Sequence, residues 1–269
     1  MADKPRSVSM HPGPGFRVRM NFRRPAPEMV RQFQRFPTPD ISDLLNRLYA
    51  VDPKVHLLTS PGHRLCGPAL TVKCFPGDNL MVHKSLDVAE PGDIVVVDAG
   101  GGNTNAVLGD LVSMKAKHRG IAGFIVDGLV RDLPEIQGLD FPVFACGTTP
   151  IGPLHRGPGE INFPICCGRV VVNPGDIMVA DAAGIVVVPQ GIAAAALERL
   201  ESHEKSNSAY LESVRSGVFS NAWVDNILTQ HQCPVIRGDA ASGENGDGAE
   251  VVERPAGALV ELAADSQAL

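Results

Sequence analysis

Short apolar runs bounded by glycine or proline recur along the middle of the chain, at 69–75 (ALTVKCF), 93–99 (DIVVVDA), 120–128 (GIAGFIVDG), 142–147 (PVFACG) and 176–189 (DIMVADAAGIVVVP). Their shortness and β-branched content predict strands. Three other stretches carry helical spacing. In 38–50, Ile41, Leu44, Leu45 and Leu48 fall on one face with Asp40 placed to cap the start. GDLVSMKAKHRG (109–120) predicts a helix ended by Gly120, and 191–217 a longer one ended by Gly217. Mixed strands and helices make the fold class α/β. PGDIVVVDAGG (91–101) and PGDIMVADAAG (174–184) share eight of eleven residues, which predicts two equivalent strands in a pseudo-symmetric sheet.

Composition then sets limits. The chain has 269 residues, 44% hydrophobic and 20% charged, with net charge −6. No basic block stands out and aromatic residues are 5%, so neither a nucleic-acid surface nor base stacking is supported. No apolar run approaches the ~20 residues that span a bilayer, and no secretory segment is visible. The expectation is a cytoplasmic protein. Its six cysteines would be reduced, with Cys166 and Cys167 both buried thiols. Residues 1–25, rich in Pro, Arg and Met, read as a flexible arm. Residues 26–237 read as the ordered domain, and 238–269, rich in Gly, Ala, Asp and Glu, as a disordered tail.

Candidate chemistry lies in two places. Gly100–Gly102 and Gly109 flank the start of the 109–120 helix, where free N–H groups and partial positive charge suit a carboxylate or phosphate. Many α/β turns share that pattern. DGLVRDLPEI (127–136) leaves its strand on Arg131 and Asp132, with Glu135 following. Arginine grips carboxylates in a planar fork, and Asp132 is a hard oxygen ligand suited to magnesium or manganese. The same pair also describes a surface ion pair worth about 0–1 kcal/mol. Dinucleotide, phosphate-loop, zinc and serine-nucleophile motifs are absent, which removes a methyltransferase reading. His83, His118, His155, His203 and His231 are scattered and read as surface or packed residues. Lys115 and Lys117 read as solvent-facing, which leaves no Schiff-base lysine.

The combination GDLV … DGLVRDLPEI resembles the RraA-like family, which includes 4-hydroxy-4-methyl-2-oxoglutarate aldolases. The likeness extends over most of 38–217. It implies a swivelling β/β/α domain with pseudo-repeated strands and flanking helices, assembled as a homotrimer or homohexamer with sites at subunit interfaces. It further implies a divalent metal, Mg2+ or Mn2+, on Asp132. Arg131 would bind the keto-acid end, and backbone N–H groups of Gly109, Asp110, Leu111 and Val112 the carboxylate. Asp110 would act near a water, and Glu204 would reach a neighbouring subunit's metal. The implied activity is cleavage of a 4-hydroxy-2-oxo acid to pyruvate through a metal-stabilised enolate, with oxaloacetate decarboxylation through the same enolate. Arg156, in 154–164, would meet a second substrate carboxylate. The family also has a branch that binds and inhibits a ribonuclease, which keeps a non-catalytic regulator as the alternative.

Overall fold

A computed structural model describes residues 14–102 and 104–235. The chain divides into two units, 1–206 and 207–269. In the first, the strands are β1 (Phe16–Val18), β2 (His56–Leu57), β3 (Leu65–Cys74), β4 (Ile94–Asp98), β5 (Ala106–Leu108), β6 (Gly123–Val130), β7 (Val143–Thr148), β8 (Gly159–Ile161), β9 (Ile165–Cys167), β10 (Val170–Val172), β11 (Ile177–Asp181) and β12 (Gly184–Val188). Helices α1 (Pro27–Phe33), α2 (Thr38–Leu44), α3 (Leu80–Val88), α4 (Asp110–His118) and α5 (Leu133–Gln137) intervene, and α6 (Ala193–Arg215) follows. The second unit holds the end of α6 and α7 (Ala222–Gln230).

Strands β3, β4, β6 and β7 are parallel neighbours at the centre of a sheet ordered β1-β8-β3-β4-β6-β7-β2. Both faces of this centre are covered. That explains why IVVVD of β4 is buried throughout and reads as a continuous apolar run. One core lies under α3, α4 and α5, and a second under the β9–β10 ribbon. A third packs α1, α2 and the start of α6 on the β11–β12 hairpin. β6 pairs with β4 as far as Asp127 and then with β5 from Leu129, so its end swings to a new neighbour at Gly128. This irregularity carries Arg131 and Asp132 to the mouth of β5.

The two echo segments are built alike locally. Gly92 and Gly175 both take positive φ (90° and 91°), and buried Asp93 and Asp176 each accept an N–H from three residues back. In the sheet they differ: β4 runs parallel to β3 and β11 antiparallel to it.

Three expectations change. Helix α2 stops at Leu44 and its N-cap is Pro37, not Asp40. Asn46 and Arg47 turn left-handed, and residues 49–51 are drawn out to pair with β12, which leaves Leu48 71% exposed. Cys166 is exposed while Cys167 is buried, because β9 alternates faces. Within the expected N-terminal arm, Phe16–Val18 pairs with β8, Arg17 with Glu160 and Arg24 with Asp93. The expected tail, 238–269, lies outside the described residues. No described helix is long and apolar enough to cross a membrane.

Candidate active site

Helix α4 opens on Gly109, in extended backbone, and no side chain caps it. Its first intrahelical bond is from Ser113 N–H to the Gly109 carbonyl, so the N–H groups of Asp110, Leu111 and Val112 have no acceptor within the helix. Asp110 in the first turn and Lys115, Lys117 and His118 in the last complement the helix dipole. Gly120, at φ 75°, ends it as expected. The buried Ser113 hydroxyl donates to the Gly109 carbonyl at 2.9 Å and holds the opening turn.

Arg131 is delivered to this turn by β6. Its backbone N–H donates to the Leu108 carbonyl at 3.0 Å, one residue before Gly109. Its Nε lies 3.2 Å from Asp132 Oδ2. Asp132 sits in the left-handed region at φ 56° and begins α5. That conformation, uncommon outside glycine, aspartate and asparagine, keeps its carboxylate beside Arg131. Gly109 makes the packing possible, since a Cβ there would lie 2.3 Å from Asp132 Oδ2 and 3.0 Å from Arg131 Cγ. Gly152 does the same on the other side, where a Cβ would meet Arg131 Nη1 at 2.8 Å.

Together these residues border a cavity of about 280 Å³. Gly109, Asp110, Leu111, Val112 and Arg131 all line it. Asp132 does not line it directly but stands against Gly109 and Arg131, which do. Glu204, on α6, bonds Arg35 at 3.2 Å and does not line its own chain's cavity. Glu135 is exposed on α5 and also lies outside it. The glycine loop at 100–102 folds instead over buried Asp98 and Asp127: Gly100 N–H donates to Asp98 and Gly101 N–H to the Asp127 carbonyl. Asp127 is further held by Gly168 N–H at 2.8 Å and Lys54 at 3.1 Å, so that carboxylate is structural.

Asn79, His83, Lys115 and His155 also line the cavity, with His155 lining it where Arg156 was expected. His155 Nδ1 bonds Asn79 Oδ1 at 2.6 Å, and its ring meets His83 edge-on at 5.7 Å. Burial, with His155 and Lys115 nearby, pushes the His83 pKa down. Asn79 and His83 are four residues apart, so they share a face of α3; that spacing was the one signal available in the sequence. The 152–156 loop is stapled down by Leu154 N–H to the Gly77 carbonyl (2.8 Å) and Asn79 N–H to the Leu154 carbonyl (2.9 Å).

Residues 38–187 match the RraA-like family, Aldolase/RraA. The chain belongs to that family. A Halalkalibacterium halodurans protein provisionally named 4-hydroxy-4-methyl-2-oxoglutarate aldolase is 39% identical over 202 residues, 75% of this chain and 96% of the relative. An Azotobacter vinelandii protein with the same provisional name is 35% identical over 58% of this chain and 96% of its own length. Among solved structures, Streptomyces coelicolor RraAS2, described as an unusual member of the RNase ES inhibitor RraA family, superposes with a TM-score of 0.64. It is 30% identical and covers 71% of this RraA-like chain and 98% of its own. The fold of the chain is therefore that of its family.

Proposed function

We propose that this RraA-like protein is a divalent-metal-dependent carbon–carbon lyase that cleaves a 4-hydroxy-2-oxo acid of the 4-hydroxy-4-methyl-2-oxoglutarate type to pyruvate. The observation that carries the reading is the meeting of α4's free N–H groups, Asp110 and Arg131 at one cavity, with Asp132 packed against Gly109 and Arg131 beside its lining. The donor set suits such an ion. No cluster of three His, Cys, Asp or Glu occurs among the described residues, and Mg2+ ordinarily binds through one or two carboxylates while keeping water and substrate oxygens. Asp132 would hold it, and when bound it would supply Lewis-acid polarisation of the substrate's keto oxygen.

The chain's own groups then divide the work. The N–H groups of Asp110 to Val112 hold the C1 carboxylate. Arg131 sets a fixed positive charge beside the 2-oxo group, where negative charge develops as the C3–C4 bond breaks. A water held by Asp110 takes the proton of the C4 hydroxyl, whose oxygen becomes the new carbonyl. The electron pair left on C3 forms the enolate of pyruvate, which takes back the proton removed from the C4 hydroxyl to give pyruvate. Oxaloacetate loses carbon dioxide from the same position to the same enolate, so decarboxylation belongs to the same site. Glu204 of a neighbouring subunit remains the proposed outside carboxylate, in a trimer or hexamer.

Pyruvate release from 4-hydroxy-4-methyl-2-oxoglutarate and from oxaloacetate tests this. Release that needs Mg2+ or Mn2+, stops with EDTA and is lost in Asp132→Ala is the expected result. No turnover of either acid at saturating metal would refute it. That outcome would favour a non-catalytic regulator of ribonuclease activity, the reading supported by likeness to RraAS2.

A further inference from the structure

The cavity lined by Arg131 is also lined by Asn79, His83, Lys115 and His155, which the pyruvate-forming groups leave unused. Lys115 follows Leu111 by four residues and so shares its helix face. At a rise of about 1.5 Å per residue, the two lie roughly 6 Å apart along α4. Helical side chains lean back toward the N-terminus, which turns the Lys115 ammonium toward the cavity it lines. No described residue gives Lys115 a carboxylate partner. Beside it, His83 is braced by His155, which Asn79 anchors. With its pKa pushed down, His83 is neutral near pH 7 and offers one N–H, so Lys115 is the fixed charge among these four residues. The one carboxylate lining the cavity, among the described residues, is Asp110, five positions before Lys115 on α4. An anionic ligand reaching from α4's first turn to Lys115 would be the length of a short diacid.

We propose that Lys115, with His83 beside it, is the specificity-determining group for the far carboxylate of the substrate, making the cavity selective for five-carbon 2-oxo diacids over 2-oxo monoacids of equal length. The assignment of C1 to the α4 end rests on the lyase reading, but the test needs no turnover. Calorimetric titration with 2-oxoglutarate and with 2-oxopentanoate, both with Mg2+, compares a distal carboxylate with a methyl group. The unaltered protein should bind the diacid about tenfold or more tightly, the scale of one charge-assisted contact. That preference should collapse in Lys115→Met and persist in Lys115→Arg. Both variants lie on an exposed position of a helix and use good helix formers. Equal affinity for the two acids, binding of neither, survival of the preference in Lys115→Met, or its loss in Lys115→Arg would overturn the proposal. Pyruvate release measured alongside separates the two ideas. Turnover without the preference removes this inference alone, and the preference without turnover removes the lyase reading alone.

Discussion

Gly109→Ala puts a methyl group where the structure has room for none. The added Cβ would lie 2.3 Å from Asp132 Oδ2, closer than the 3.0 Å below which something must shift. The backbone itself raises no objection, because Gly109 is extended at φ −145° and alanine adopts that freely. The strain therefore falls on Asp132 and Arg131, whose side chains are 35% and 43% exposed and can give way. Their retreat spoils the placement of the two charges at the reacting end. A misplacement near 1 Å costs on the order of 10²-fold in rate, about 2.7 kcal/mol of barrier. Alanine for glycine at a helix N-cap costs stability on the order of 1 kcal/mol, a Tm change of about 2–4 °C in a protein of this size. Coupling pyruvate release to lactate dehydrogenase gives kcat/KM, and a thermal melt gives Tm. The expected result is a large kinetic loss with a nearly unmoved melt. Unchanged kcat/KM would refute the close packing of Gly109 on Asp132. A loss matched by a collapse in Tm would move its role from the site to the fold.

Other outcomes follow from the same geometry. Asp132→Asn keeps the left-handed turn, which asparagine tolerates, yet removes the anionic ligand; metal titration should show affinity lost with Tm within a few degrees, and retained metal-dependent activity would contradict the assignment. Arg131→Lys replaces a planar fork by a point charge and should cost about 10–10²-fold in kcat/KM; an unchanged value would show that the fork is not used. Folded His83 protonates at lower pH than the unfolded value of 6.5, so below about pH 6.5 the unfolded chain binds more protons and stability falls as pH drops. His83→Asn should flatten that limb of a Tm–pH profile, and an identical profile would contradict the depressed pKa. Alkylation at pH 8 followed by mass spectrometry should label exposed Cys166 and Cys233 before Cys74, whose thiol burial pushes up to about 12; labelling of Cys74 first would contradict its burial.

The central strands and the α4 turn were legible because their causes are local. A strand buried on both faces is apolar at nearly every position, and the 109–120 segment carries helical spacing with its own stop at Gly120. The Arg131–Asp132 pair was legible as adjacent charges at a strand exit, and the structure packs it on the Gly109 turn. What failed depended on distant chain. Residues 49–51 leave the helical pattern because β12, more than a hundred residues on, offers a strand to pair with. Lys115 is exposed, as its place in the helix pattern implied, but that pattern could not show the cavity it lines together with the 152–156 loop. His83 and His155 looked scattered because 72 positions part them in sequence while the Asn79 bond and the ring contact join them in space.

The 152–156 loop, pinned to the start of α3 by backbone bonds, has a consequence for descent. Those bonds fix where the loop runs without naming its side chains, so residues such as His155 can be exchanged while the path stays the same. On the lyase reading the reacting groups come from other segments, α4's first turn and the exit of β6. On that reading, lineages of this fold could retune which acid they accept by substitution along the loop and at position 115 while the proposed bond-breaking groups stay inherited.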